Sequence, residues 1–368
     1  MAVANTYSTK KDVKEAVKEL KNSFSSAENK FVLYFASSIF LPDELAAEMQ
    51  SAFPDSKLLG CSTAGEITSG KVLKNSLVAM SFGSSELEDV EVTVIERVKE
   101  EDNVKKAFEK FEKHFGEEVK QMDVEKYVGI ILFDGMVGAE EKIMDIVGDS
   151  TNLTIIGGSA GDDVKFKETH VFVDGKSYMD AAVVALLKTK QGFDIIKTQS
   201  FEETGKKLKA TKVDESSRKI VEFDGRPATE VYAEVLGASP EQAADHFMEN
   251  PVGLIIDNEP FVRSPQRVDG KSICFYCQVK EGTELSLLKS TDIVVDTKKA
   301  VEDKLDELGH ISAIINFHCI LRTLELENKG QTEAYGEIFT DIPTIGFSTY
   351  GEQYIGHVNQ TSTMLVLK

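Results

Sequence analysis

The sequence predicts an α/β chain of mixed α+β type, with repeated strand-helix-strand-strand-strand units that form mixed sheets flanked by helices, in two pseudo-similar halves. Three observations carry this. Apolar runs of strand length, rich in Val, Ile and Phe, alternate with stretches whose apolar residues recur at helical spacing. A Gly-x-Ser motif that leads to an acidic residue closes such a run three times. Two further strand-like segments follow each motif, and these suit antiparallel addition to the parallel pair that a strand-helix-strand crossover makes.

Taken in order, Val13, Val17, Leu20 and Phe24 mark one face of an N-terminal helix. Phe31 to Ala36 reads as a buried strand, Leu41 to Phe53 as a helix opened by Pro42 and Asp43, and Lys57 to Gly60 as a second strand. That strand enters Gly60-Cys61-Ser62-Thr63-Ala64-Gly65-Glu66, and strands Ser76 to Phe82 and Val90 to Val98 follow. After a helix with Val104, Phe108 and Phe111 on one face, the order restarts. Strand Tyr127 to Phe133, helix Ala139 to Val147 and strand Thr154 to Ile156 lead into Gly157-Gly158-Ser159-Ala160-Gly161-Asp162-Asp163, then strands His170 to Val173 and Ala181 to Lys188. The third occurrence runs from Ala313 to Phe317, through a polar segment of helical potential, to Gly346-Phe347-Ser348-Thr349-Tyr350-Gly351-Glu352 and two closing strands.

The leading glycines lie 97 and then 189 positions apart. The second spacing is near twice the first, which points to a fourth, degenerate copy around Gly253. The polar stretch Lys206 to Arg226 is the natural boundary. The expected organisation is an N-terminal helix in 1–27 and domains over 28–212 and 213–368.

Composition narrows the function. A formal charge of -20 repels phosphate backbones and anionic lipid, so nucleic acid and membrane surfaces are not expected partners. Apolar runs are far shorter than the roughly 20 residues needed to cross a bilayer. The polar N-terminus lacks the apolar core of a secretory signal, and cytoplasmic location is the expectation. Four cysteines describe no disulfide framework. The lysine cluster from Lys206 to Lys219 reads as a solvated hairpin.

The Gly-x-Ser loops need small residues because the chain reverses at a strand end and something must approach closely. Their amides could cradle an anion beyond the carboxyl ends of the strands, or they are tight turns repeated with the unit. Gly157 to Gly161 has the form of a nucleophile elbow, but no helix follows it and no histidine is placed for a triad. Cys274 and Cys277 form a CxxC inside a strand-like run, which reads as two packed thiols. More informative is the strand Ala313 to Phe317, which delivers His318, Cys319 and Arg322 just past its end. Arg322 there would hold a carboxylate, and Arg263 with Glu352 could complete a set for the two charges of an amino acid. Structural ion pairs are the alternative. A thiolate at Cys319 or Cys61 beside Arg322 or His318 would make a nucleophile, the less supported enzymatic reading.

Together, Leu59-Gly-Cys-Ser-Thr-Ala-Gly-Glu66, Gly157-Gly-Ser-Ala-Gly-Asp-Asp163, Asp224-Gly-Arg-Pro-Ala228, Phe261-Val-Arg-Ser-Pro265, Cys319-Ile-Leu-Arg322, Gly346-Phe-Ser-Thr-Tyr-Gly-Glu352 and Asn359-Gln-Thr361 resemble the FIST family, an N-terminal plus a C-terminal FIST domain. The resemblance implies a bacterial signal-transduction sensor that binds a small ligand, an amino acid among the candidates. Its output would be a histidine kinase, a cyclic-di-GMP enzyme or a chemotaxis protein. The chain carries no recognisable output module, so a separate partner is expected. The residues expected to bind ligand are Arg322, Arg263, Cys319, Cys61, Ser62, Ser159, Ser348 and Glu352. Some relatives sense nitric oxide through haem, and for that alternative His318 or His357 would ligate the iron.

Overall fold

The three motifs mark three copies of a larger unit than the sequence suggests. The computed structural model describes residues 3–24, 28–256, 259–354 and 356–368. The first repeat runs β1 (Ala4–Ser8), α1 (Val13–Ser23), β2 (Phe31–Ser37), α2 (Pro42–Ala52), β3 (Lys57–Thr63), β4 (Glu66–Thr68), β5 (Lys71–Leu73) and β6 (Leu77–Phe82). The second repeats it as β7 (Leu87–Glu96), α3 (Glu101–Phe115), β8 (Tyr127–Phe133), α4 (Glu140–Ser150), β9 (Thr154–Ser159), β10 (Val171–Val173), β11 (Lys176–Tyr178) and β12 (Ala181–Thr189).

The third repeat opens with β13 (Phe193–Gln199), and the chain then leaves it for an inserted segment. That segment holds β14 (Phe201–Asp214), β15 (Lys219–Phe223), β16 (Arg226–Pro227), α5 (Ala228–Leu236), β17 (Val252–Ile256), β18 (Glu259–Arg263), β19 (Pro265–Asp269), β20 (Ser272–Phe275) and β21 (Glu284–Ser290). The repeat resumes with α6 (Ile293–Leu308), β22 (Ala313–Cys319), α7 (Ile320–Lys329), α8 (Thr332–Glu337), β23 (Thr344–Thr349), β24 (Glu352–Tyr354), β25 (His357–Val358) and β26 (Thr361–Leu367). Two compact units result, one of Met1–Lys197, Thr297–His357 and Ser362–Lys368, the other of Thr198–Asp296 with Val358–Thr361.

In each repeat two strands joined by a helical crossover pair in parallel, β2 with β3, β8 with β9 and β22 with β23. A later strand, β6, β12 or β26, adds antiparallel on the other side. The short strand after each motif leaves its own sheet. Thus β4 pairs with β23, β24 with β9 and β10 with β3, so each repeat lends a strand to another and the exchange closes in a ring.

In the first two repeats β2 and β8 read as nearly unbroken apolar runs because both their faces are covered. Alternate residues Leu33 and Phe35, Ile130 and Leu132, and Ile315 and Phe317 enter one shared core, where the Phe347 ring lies 4.5 Å from that of Phe35 and 6.0 Å from that of Phe317. The outward residues of the first repeat pack under α1 and α2, and those of the second under α3 and α4.

The fourth copy around Gly253 is not there. Strand β17 runs antiparallel to β18 and to β21, with no parallel partner among the described residues, and the long second spacing between motifs reflects the inserted segment. The lysine cluster does form a hairpin, β14 with β15, whose lysines are mostly exposed. Among the described residues no helix is long and apolar enough to cross a membrane.

Candidate functional site

Each motif opens at a glycine that packs against the neighbouring parallel strand. A Cβ on Gly60, Gly157 or Gly346 would stand 2.2, 1.7 or 2.3 Å from the carbonyl oxygen of Tyr34, Ile131 or Asn316, its register partner in each case. The leading glycine is therefore set by packing, and the three positions are structurally equivalent.

Beyond these glycines the loops meet one another. Ser348 N–H donates to the Gly65 carbonyl (2.8 Å) and Ala64 N–H to the Ser348 carbonyl (3.2 Å). Ser159 N–H donates to Gly351 (2.8 Å) and Tyr350 N–H back to Ser159 (3.0 Å). Gly161 N–H reaches Ser62 (3.0 Å) and Asp163 N–H reaches Thr63 (3.0 Å), which completes the ring. These amides are committed to neighbouring loops, so the expectation that they cradle an anion is corrected. The Tyr350 hydroxyl donates to the Asp162 carboxylate and accepts from Val164 N–H at 3.0 Å.

The side chains of the loops are equally engaged. Ser62 Oγ accepts from His170 N–H (2.9 Å), Ser159 Oγ donates to Glu140 Oε1 (3.1 Å) and Ser348 Oγ lies 2.7 Å from Thr323 Oγ1. Thr63 donates to Glu66 Oε1 as Thr349 does to Glu352 Oε1 (2.7 Å), so both glutamates brace equivalent turns. Ser76 also bonds Glu66, by its N–H (3.0 Å) and its hydroxyl (2.6 Å), yet burial raises this carboxyl to about 7.

The repeats differ in one place. Register makes Tyr34, Ile131 and Asn316 equivalent, and likewise Ala36, Phe133 and His318, each with its side chain on the helix side of the sheet. In the first two repeats these are core residues. In the third, that layer is polar: Asn316, His318, Arg322, Thr323, Tyr335, Ser348 and Ser362, with Thr297 from α6, are each at most 2% exposed.

Their bonds form one network. Asn316 Nδ2 donates to the Tyr335 hydroxyl (3.1 Å), Tyr335 lies 2.9 Å from His318 Nδ1, and Ser362 Oγ donates to Asn316 Oδ1 (2.8 Å). Arg322 donates to Thr297 Oγ1 (2.9 Å) and also bonds the Tyr335 hydroxyl. Burial, reinforced by the Arg322 charge, holds the His318 imidazole well below its ordinary pKa, so it is neutral. Its Nε2 is buried with no hydrogen-bond partner among the described residues.

The helix ends repeat the contrast. The first turn of α2 carries Asp43 and Glu44 and that of α4 carries Glu140 and Glu141, each acid pair complementing the positive end of the helix. The first turn of α7 has no acid, and Arg322 adds a positive charge to it.

Of the residues singled out in the sequence, His318, Arg322 and Ser348 lie in this layer. Cys319 is the N-cap residue of α7, since β22 continues two residues beyond the expected end while its pairing with Ser348 and Thr349 lasts. Ser62 and Ser159 belong to the loop ring, and Glu352 to the Thr349 turn. His357 Nδ1 lies 3.1 Å from Gln353 Nε2, and its ring packs on Gly351, where a Cβ would stand 2.1 Å from the imidazole. Arg263 is half-buried on β18, in the other unit, where it donates to the Val262 carbonyl (3.2 Å). All four cysteines are buried thiols outside any disulfide; Cys61 faces the shared core, and burial pushes its thiol far up. Cys274 Sγ accepts from Arg267 (3.1 Å). Sequence reading missed Asn316, Thr323, Tyr335 and Ser362.

Residues 30–226 match the FIST N domain and residues 228–355 the FIST C domain. The chain is also similar to the uncharacterized protein MJ1623 of Methanocaldococcus jannaschii, at 25% identity over 81% of this chain. It spans 60% of the length of that relative.

Proposed function

Because this chain belongs to the FIST family, whose domains are associated with signal-transduction sensing, we propose that it is a sensor of a small anion, bound at the amino end of α7 and anchored by Arg322. The observation that carries this reading is the exchange in the third repeat. Two repeats fill the layer between sheet and helices with apolar side chains and give the helix an acidic first turn. The third gives up that core for a buried, hydrogen-bonded layer and leaves the helix end with an added cation. Burying polar groups in place of a core sacrifices stability, and such local sacrifices concentrate at functional sites. A guanidinium at a helix amino end suits a carboxylate or similar oxyanion, and an amino acid supplies one.

Haem fits this layer poorly. A histidine that ligates iron through Nε2 needs a lone pair there and donates its Nδ1–H to an acceptor. His318 Nδ1 instead faces a hydroxyl already bonded by two donors, and His357 Nδ1 faces the Gln353 amide nitrogen. A cysteine enzyme is also disfavoured, since His318 is neutral and Cys61 is buried with a raised pKa. The negative charge disfavours nucleic acid. The output then passes to a separate protein, a histidine kinase, cyclic-di-GMP enzyme or chemotaxis protein, in the cytoplasm.

The test is a thermal-shift screen of small carboxylates, amino acids included, on the wild-type chain and on Arg322→Lys, whose point charge lacks the planar fork. At least one carboxylate is expected to raise the melting temperature of the wild type, by an amount that Arg322→Lys loses. If no anion shifts it, or the lysine variant responds equally, the reading fails.

A further inference from the structure

We propose that His318 selects the ligand as a hydrogen-bond donor: Tyr335 fixes the tautomer that carries its hydrogen on Nε2, and that N–H meets an oxygen of the anion held by Arg322. The inference rests on the site reading above and adds the group that discriminates within it.

The argument is a count of donors and acceptors. The Tyr335 hydroxyl receives the Asn316 Nδ2–H at 3.1 Å and a bond from Arg322, a side chain that can only donate. Its two lone pairs are then occupied, and its own proton must go elsewhere. Among the described residues two acceptors lie in reach, His318 Nδ1 at 2.9 Å and Ser362 Oγ at 3.5 Å. The second is beyond the ordinary O–H···O range. Ser362 gives its own proton to Asn316 Oδ1 (2.8 Å), which holds the amide in this orientation. The phenolic proton therefore points at Nδ1.

A neutral imidazole that accepts at Nδ1 carries its hydrogen at Nε2. That hydrogen has no acceptor among the described residues, and its atom is buried. The equivalent position of the second repeat holds Phe133, so nothing in the fold requires a donor here. A donor beside a cation favours an oxyanion. An ammonium group, or a metal ion seeking a lone pair at Nε2, is rejected by the same atom.

The full chain labelled uniformly with 13C and 15N tests this directly, with His318 and Arg322 assigned by through-bond correlation from the side chain to the backbone. Long-range 1H–15N spectra are expected to show a protonated Nε2 and an unprotonated Nδ1. Titration with sodium acetate should then move the Nε2–H proton downfield together with the Arg322 Nε resonance, while methylammonium chloride at equal ionic strength moves neither. A hydrogen on Nδ1 overturns the proposal. Acetate that moves Arg322 but leaves His318 unchanged also overturns it, with the site intact. Acetate that moves neither residue removes the site reading itself, and this inference with it.

Discussion

Thr323 Oγ1 lies 2.7 Å from Ser348 Oγ, both side chains buried, so the amino-terminal turn of α7 is bonded to the third glycine-serine loop. Ser348 in turn shares backbone hydrogen bonds with Ala64 and Gly65. A ligand that shifts Arg322 therefore pulls on a loop that holds two others, which is the contact a population shift would use. Thr323→Val keeps the shape and removes the hydroxyl, at an expected cost of about 1 kcal/mol. Ser348→Ala should cost about as much. In urea denaturation the double variant should be little worse than either single one, because they delete the same bond. Additive losses would show that the pair is not coupled.

The leading glycines predict an order of severity. Alanine at Gly157 places a methyl 1.7 Å from the Ile131 carbonyl oxygen, so the parallel pair must separate, and losses above about 4 kcal/mol are expected. Gly60→Ala and Gly346→Ala should follow closely. Gly116→Ala is the control: its φ of 76° carries a left-handed penalty of about 1–2 kcal/mol, but among the described residues no atom beyond its chain neighbours lies within 4 Å of the added carbon. Melting temperatures and soluble yield rank the four variants.

Much of this fold is legible in the sequence because period and punctuation suffice for it. The helical face of Val13, Val17 and Leu20, the apolar run Phe31 to Ala36 and the three motifs all follow local rules. The ring of exchanged strands does not, since nothing local to Glu66–Thr68 says that it pairs with β23 rather than its own sheet. Spacing alone likewise cannot separate a degenerate copy from an insertion, which is why Gly253 misleads. The polar layer was within reach. In β22, Asn316 and His318 alternate with Ile315 and Phe317, so a period-two reading places both on one face, opposite the core. Treating Ala313 to Phe317 as a uniform apolar run hid that alternation, and Tyr335 reaches the layer from a separate helix that no spacing relates to the strand.

Thiol chemistry provides a third prediction. All four cysteines are buried, and the Cys61 thiol is pushed far above its ordinary range. An aromatic disulfide reagent should find no fast-reacting thiol in the native chain and four after denaturation in guanidinium. One stoichiometric, rapid reaction in the native state would restore the cysteine-nucleophile reading.

Glu66 predicts how stability depends on pH. Its side chain is fully buried, and burial raises the folded-state carboxyl to about 7 despite the bonds from Ser76 and Thr63. Unfolded, it titrates near the ordinary glutamate value of roughly 4.3. The folded state thus binds this proton more tightly, so the contribution is fully present below the unfolded value. It is lost progressively as pH rises through about 7. The loss amounts to about 4 kcal/mol, since each unit of difference is worth about 1.4 kcal/mol. Glu66→Gln keeps an acceptor and donor for the Thr63 and Ser76 hydroxyls but has no proton to lose. Urea denaturation at pH 5, 6, 7 and 8 should therefore show the wild type losing stability relative to the variant as pH rises. Parallel curves for the two proteins would mean that the Glu66 carboxyl titrates alike in both states, and that its burial is offset by the hydroxyls around it.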